Sequence, residues 1–405
     1  MDPLRRLLAA PLAAALRSLP VVVLTGARQT GKSTLARQGT LGAHRAYRSL
    51  DDIDTLEQAQ RDPGALVRDA GRLTLDEVQR SPELLLAVKS AVDEDRAAGR
   101  FLLTGSANLL LMKRISESLA GRAVYWKLLP LTRRELLGMG AAGVWSELFR
   151  CHDREWPALL REQEVPAADW RAAVRRGGYP TPAHHLKTAG ERALWYSGYT
   201  QTYLERELRD LSAVASLVDF RRLMRAAALR LGNLVNQTEL GRDVGMPQPT
   251  VHRHLDLLEV SCQLVRLPSF AVNRTSRLIK TPKLYWNDIG LAMHLAGDEP
   301  RGAHLENLVL CDLLAWSAAL VDGPQITFWR SSSGREVDFV IEWKGRLVPV
   351  EVKTTARPRS GDAAGLAAFR AEYRGSARAG LLLHTGDTVS WLAEGILAAP
   401  WWKVI

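Results

Sequence analysis

The stretch "VVVLTGARQTGKSTLA", Val21 to Ala36, confines the N-terminal third of the chain to one kind of fold. Val21 to Leu24 read as a fully buried strand, Gly26-x-x-x-x-Gly31-Lys32-Ser33 follows, and helix formers come next. Strand, glycine loop and helix in that order make a phosphate-binding loop in the setting its chemistry requires. Gly26, Ala27, Arg28, Gln29, Thr30, Gly31, Lys32, Ser33 and Thr34 are the candidate nucleotide-binding residues. The glycines let backbone N–H groups face phosphates, and the helix N-terminus adds its positive end. Lys32 would neutralise the β- and γ-phosphates of ATP, and the Ser33 hydroxyl would bind Mg²⁺.

Such a loop needs an acidic partner, and "RLTLDEVQ" supplies it. Leu73 and Leu75 are apolar strand positions, so Asp76 ends a strand where open α/β sheets place ligands. Asp76 is the candidate Mg²⁺ residue, and Glu77 the candidate general base for the attacking water. A third strand, "FLLTGSAN", ends in Thr104, Ser106 and Asn108. Ser106 and Asn108 are the candidate γ-phosphate sensors, with an ordinary polar turn as the alternative.

Together "LTGARQTGKSTL", "LDEVQ", "LLTGSAN" and "SLAGRAVYWKLLPLTRRELL" resemble the bacterial and archaeal predicted ATPases of the AAA+ superfamily whose C-terminal half is a domain of unknown function. The resemblance continues through "GGYP" (Gly177 to Pro180) and "YTQTYLERELRDL" and covers nearly the whole chain. It implies an α/β, AAA+-type parallel sheet and a Mg²⁺-dependent ATPase. In "LAGR", Arg122 fits either an arginine finger reaching a neighbouring subunit or a structural salt bridge. A homo-oligomeric ring would follow by analogy with the superfamily.

The 405 residues exceed one ordinary domain, and a net charge of +10 suits a polyanionic partner such as DNA, or else an arginine-rich composition. Cys151, Cys262 and Cys311 match no metal-ligand spacing and suit a reducing cytoplasm. Arg5-Arg6 before "LLAAPLAAAL" has the outline of a leader peptide. Leu4, Leu7, Leu8, Leu12, Ala15 and Leu16 nevertheless share one helical face, so the segment reads as an amphipathic helix. No apolar run reaches the roughly 18 residues of a membrane span.

The chain divides into an ATPase domain (1–140), a helical lid or connector (141–218), a winged helix (219–284) and a nuclease-like α/β domain (285–405). His184-His185 read as loop histidines. In "NQTELGRDVGMPQPTVHRHLDLLEV", Thr238 would cap a helix from Glu239 to Val244, Gly245-Met246-Pro247 would turn, and a second helix would start at Pro249. That is helix-turn-helix spacing. "CQLVRLPSF" and "RTSRLIKTPKLYW" would form a two-stranded wing. Thr250, His252, Arg253 and the wing bases Arg274, Arg277, Lys280 and Lys283 would meet DNA, or the module would bind protein instead.

After the helical run "HLENLVLCDLLAW", the order helix–strand–strand–strand–helix–strand is similar to the PD-(D/E)XK endonuclease core. Period-two reading of "REVDFVI" puts Val337, Phe339 and Ile341 on one face and Glu336 and Asp338 on the other. In "LVPVEVK", Glu351 and Lys353 point away from Val348, Val350 and Val352. Asp338, Glu351 and Lys353 are therefore the candidate phosphodiesterase residues, with Asp338 and Glu351 holding Mg²⁺ and Glu306 joining from the preceding helix. Glu336 is a rival ligand. Three functions stay open: an ATPase coupled to DNA binding and a nuclease-like domain, a scaffold ATPase whose nuclease-like fold only binds partners, and an ATP-responsive DNA-binding regulator.

Overall fold

The computed structural model describes residues 4–106, 119–204, 216–271 and 281–405. Asn108, Arg274, Arg277 and Lys280 lie outside the described residues. Among the described residues, no helix is long and apolar enough to cross a membrane.

Strands β1 (Val21–Thr25), β2 (Ala46–Ser49), β3 (Leu73–Asp76), β4 (Phe101–Thr104) and β5 (Ala123–Lys127) form a parallel sheet in the order β2-β3-β4-β1-β5. Every residue of β1 is buried, as the unbroken apolar run requires of a strand covered on both faces. One face packs around Leu66, Val88 and Phe101. The other packs around Leu8, Leu12, Leu35 and Trp126, bringing in helices α1 (Ala9–Ser18) and α2 (Lys32–Arg37). The amphipathic N-terminal helix is thus part of the core. Because the strands run parallel, the ends of β1, β3 and β4 open at one edge of the sheet, where the glycine loop, Asp76 and Thr104 meet.

Past this sheet come α3 (Trp170–Arg176), α4 (Ala189–Gly198), α5 (Leu217–Leu229), α6 (Gln237–Val244) and α7 (Gln248–Val260). Gly245, at φ +71°, ends α6 and makes the expected tight turn into α7. The cap of α6 is Asn236, whose side chain accepts the Glu239 N–H, rather than Thr238. The helix begins at Gln237, so Thr238 already lies inside its first turn. Strands β6 (Leu264–Leu267) and β7 (Lys283–Trp286) pair antiparallel, as the two-stranded wing required. Helices α8 (Ile289–Ala296) and α9 (Gly302–Ala318) follow.

The C-terminal sheet comprises β8 (Gln325–Arg330), β9 (Glu336–Trp343), β10 (Arg346–Val352), β11 (Gly380–His384), β12 (Ser390–Ala393) and β13 (Ile396–Pro400), in the order β12-β13-β11-β10-β9-β8. Helix α10 (Ala364–Glu372) covers one face with Leu366 and Phe369. The expected element order is present, with the β12–β13 hairpin added. Lys344 and Gly345, both at positive φ, make the two-residue turn between β9 and β10.

The reading of β9 faces needs correcting. Thr327 pairs with Val340 and Trp329 with Val337, so Asp338 and Phe339 together oppose Phe328. This bulge inverts the alternation. Val337 joins the α10 side with Val340, whereas Phe339 and Ile341 face the core on the α9 side.

That latter core is continuous from Trp145, Phe149 and Trp156 through Phe220, Leu255 and Trp286 to Val350 and Trp401. Phe149, Trp316 and Trp343 touch one another at ring separations of 5.3 to 6.1 Å. The connector, the helix pair with its two-stranded sheet, and the C-terminal sheet are packed on shared apolar contacts.

Candidate functional site

The phosphate-binding loop leaves β1 at Gly26, whose φ is +146°. A Cβ there would come within 2.3 Å of the Leu128 carbonyl oxygen, so only glycine fits. Lys32 Nζ donates to the Gly26 and Ala27 carbonyls at 3.2 and 2.9 Å, and Thr30 Oγ1 to the Ala27 carbonyl at 2.9 Å. Gly26, Ala27 and Thr30 thus shape the loop from within. Arg28, Gln29, Gly31, Lys32, Ser33 and Thr34 line a cavity of about 940 Å³. Behind the loop, buried Arg6 donates to the Thr30 carbonyl at 2.7 Å, the Leu129 carbonyl at 2.7 Å and Glu135 at 3.0 Å. Of the two arginines in the leader-like outline, Arg6 braces the loop and Arg5 is exposed.

Asp76 is buried at the end of β3, and its carboxylate accepts hydrogen bonds from the Tyr47 and Thr104 hydroxyls. Burial, then the hydrogen bond and charge of Asp76, push the Tyr47 phenol up to about 12. Glu77 takes a left-handed backbone at φ +57° and lines the same cavity, where Gln79 donates to its carboxylate. Burial raises the Glu77 carboxyl above the ordinary glutamate range, with the Lys32 ammonium and Gln79 opposing. Lys32, Ser33 and Glu77 therefore come together at one cavity, next to Asp76.

Ser106 is buried at the end of the same strand edge, its Oγ without a hydrogen-bond partner, and is not among the cavity-lining residues. Arg122 also lies away from the cavity, its Nε bonded to Asp93 at 2.6 Å, so within this chain it makes the salt bridge of the two expectations. Tyr47 and Thr104 were not among the sequence candidates. Their register could have found them, because Thr104 follows Leu103, which pairs with Leu75, and Ser49 pairs with Asp76 itself.

The cavity has a wall from outside the first sheet: Pro180, Thr181 and His185. A smaller, adjoining space of about 230 Å³ is lined by Leu4, Leu35, Leu131, Pro180 and His184. His184-His185 thus border the nucleotide side of the molecule. The "GGYP" turn carrying this wall is fixed by buried Asp288. Its Oδ2 accepts the Gly178 and Tyr179 N–H groups at 2.6 and 3.1 Å, and its Oδ1 the Leu291 N–H at 2.7 Å and the Tyr196 hydroxyl at 3.1 Å. Burial raises the Asp288 carboxyl, against the pull of these four donors. A Cβ on Gly177, which sits at φ +70°, would lie 2.4 Å from the Tyr196 oxygen, so the first glycine is a packing requirement.

A second cluster lies between β7, α9 and β9. Lys283 Nζ is 3.3 Å from Glu306 Oε1 and 3.9 Å from Asp338 Oδ1, and is paired with Glu336. The Tyr285 hydroxyl donates to Glu306. On β10, the Val352 N–H donates to Asp338 Oδ2 at 2.8 Å, and Lys353 Nζ to Glu351 Oε1 at 2.6 Å. Burial first, then the charge of Asp338, push Glu306 and Glu351 each up to about 8. Burial alone would lower the Lys283 ammonium, but Glu306, Asp338 and Glu336 outweigh it and raise it.

Two expectations are corrected here. Lys283, read as an exposed wing base for DNA, is buried and turned into the acidic cluster, because its strand pairs with β6 and bridges Leu234. Asp338 and Glu351 are buried rather than outward-facing. Among the described residues, no three His, Cys, Asp or Glu side chains are grouped as a metal would need. Of the other DNA-facing candidates, His252 and Arg253 are exposed on α7 and Thr250 half-buried. Asp256 on that helix is paired with Arg266 at 2.7 Å.

An AAA domain model matches residues 18–137, a domain of unknown function (DUF8612) matches 167–302, and a second one (DUF4143) matches 301–404. Uncharacterized proteins of Mycobacterium bovis (Mb2031c) and Mycobacterium tuberculosis (Rv2008c) are each 33% identical over 365 residues, spanning 87% of this chain and 75% of theirs. A Walker-type ATPase of Pyrococcus abyssi aligns at 19% identity over 73% of this chain and 98% of its own, with a TM-score of 0.45. A STAND signal-transduction ATPase of Pyrococcus horikoshii aligns at 10% identity over 77% and 46%, with a TM-score of 0.23.

Proposed function

We propose a function for a chain that belongs to the family of the mycobacterial proteins Mb2031c and Rv2008c and carries an AAA-type ATPase domain: it hydrolyses ATP with Mg²⁺ at the loop Gly26–Thr34. The observation that carries this reading is the convergence of Lys32, Ser33 and half-buried Glu77 on one cavity of about 940 Å³, beside Asp76. That volume and its basic, hydroxyl-rich wall fit a nucleoside triphosphate. Ser33 and Asp76 would hold Mg²⁺, which supplies positive charge to the phosphate oxygens when bound.

The chain's own residues do the rest. Lys32 exchanges its bonds to the loop carbonyls for the β- and γ-phosphate oxygens. Glu77, ionised, orients the attacking water and takes its proton, with Gln79 fixing the carboxylate. Tyr47 and Thr104 hold Asp76 in one orientation. The adjoining space between Leu35, Pro180 and His184 takes the adenine base, so the "GGYP" turn closes on bound nucleotide.

For the remainder of the chain we read α6, α7 and the β6–β7 pair as a winged helix, and the C-terminal sheet with α9 and α10 as a PD-(D/E)XK-like fold. The ammonium of Lys283 inside the acidic cluster favours the scaffold reading, in which this fold binds partners, over DNA cleavage. ATP turnover by the wild type and by Lys32→Ala tests the assignment. The variant should lose about 100-fold or more, the scale of removing one preorganised charge stabiliser, and equal rates would sink it.

A further inference from the structure

Between the segment that follows β5 and the turn at Gly177-Gly178 lies a cavity of about 30 Å³, which shares no lining residue with the nucleotide cavity. One water takes about 10–15 Å³ of such space, so this one admits a small ion with a water beside it. Two donors on its wall are unanswered. Asn287, directly after β7, is 4% exposed, and its Nδ2 has no hydrogen-bond partner. Arg176 ends α3 half-buried, and its enclosed Nε likewise has no partner. Burial, then the charge of Arg192, lower the Arg176 guanidinium, and no anion pulls the other way.

The other charged groups of the wall are committed elsewhere. Arg133 donates to the main-chain oxygens of Pro166, Trp402 and Ile405. Both oxygens of Asp288 are covered by the four donors described above. Leu131, Leu136, Ile289 and Leu308 make much of the remaining wall apolar. A guanidinium keeps its charge throughout the pH range of a folded protein, and a desolvated charge without a partner is costly. One such charge and one amide N–H on the wall of so small an enclosure call for a single monovalent anion.

We propose that this cavity binds one chloride ion, held by Arg176 and Asn287, where residues from all three matched regions of the chain meet. The ion offsets the Arg176 charge, accepts the Asn287 N–H, and ties the end of α3 to the segment after β7. The test follows deuterium uptake by the peptide spanning residues 177–186 in nucleotide-free full-length protein, as sodium gluconate is exchanged for sodium chloride at constant ionic strength. In the wild type, chloride at ten times its dissociation constant should slow local opening about tenfold. Arg176→Met removes the charge and Asn287→Asp builds a counter-ion into the wall, so neither should respond to chloride. Should Asn287→Asp fail to fold, the comparison of wild type with Arg176→Met decides. Crystals grown in sodium bromide should show one anomalous peak in the cavity. A wild type indifferent to chloride, an equal response in Arg176→Met, or a cavity that holds water only in the bromide crystals would each overturn the proposal.

Discussion

Replacing Asp288 separates a structural account of the nucleotide cavity from a merely local one. In Asp288→Ala the N–H groups of Gly178, Tyr179 and Leu291 lose their acceptor, while Tyr196 retains the Arg176 carbonyl at 3.2 Å. Each abandoned buried donor costs about 1–3 kcal/mol, so three sum to about 3–9 kcal/mol. A cavity of about 30 Å³ borders Asp288 and Gly178, which is room for one water to take up part of that demand. With one of the three donors met by that water, the remaining cost is about 2–6 kcal/mol. Asp288→Asn keeps one accepting oxygen for Gly178 and Tyr179 and turns its amide to the Tyr196 oxygen, leaving only the Leu291 N–H stranded, at about 1–3 kcal/mol. Local opening of the "GGYP" turn should then speed up by roughly 30- to 10⁴-fold for Ala and roughly 10- to 100-fold for Asn, at about 1.4 kcal/mol per decade. Deuterium uptake of a peptide spanning residues 177–186, followed by mass spectrometry, reads this directly. The KM for ATP should rise in the same order, because Pro180, Thr181 and His185 wall the cavity. Equal uptake in wild type and Asp288→Ala would refute the idea that this carboxylate holds the wall in place.

Other perturbations give sharper readings of single residues. Because burial raises the Glu77 carboxyl, it stays protonated, and useless as a base, at pH values where an ordinary glutamate of pKa about 4.3 is ionised. The acid limb of kcat/KM for ATP should accordingly lie above that value, and a pH–rate profile with its limb at the ordinary position would count against Glu77 as the base. Arg6→Ala leaves the buried Glu135 without its guanidinium and strips the donors from the Thr30 and Leu129 carbonyls, a loss of about 3–5 kcal/mol that urea unfolding should register. Tyr47→Phe removes one of the two hydroxyls on Asp76, a charged hydrogen bond of about 1.5–3 kcal/mol, so kcat should fall about tenfold or more with little change in KM.

Much of the nucleotide end was legible because its signals are local. The apolar run of β1, the glycine spacing and the acidic end of β3 each sit within one short stretch, and the fold leaves them where their periodicity puts them. Tyr47 and Thr104 were missed because they reach Asp76 only through the pairing order of three strands, which no single stretch encodes. The same holds for Arg6 and Asp288, whose partners lie more than a hundred residues away in several cases. In the C-terminal sheet the hairpin of β9 and β10 was readable, but one extra residue at Asp338–Phe339 put Val337 on the opposite face from Phe339 and Ile341. Lys283 misled for a related reason: a basic residue in a polar stretch reads as exposed until its strand partners are known.

The apolar contacts running from Phe149 through Trp316 and Trp343 carry a consequence for how such chains diversify. The two regions of unknown function meet at residues 301 and 302, yet Leu255, Trp286, Leu305 and Val350 belong to one buried cluster that crosses this point. A recombination breakpoint there would expose apolar surface on both fragments. The two regions should therefore be inherited as a pair, while the surface-borne parts of each remain free to drift. Selection on such a chain acts on a single joined unit behind the ATPase, and shuffling of its halves between lineages would be punished by aggregation before it could offer a new activity.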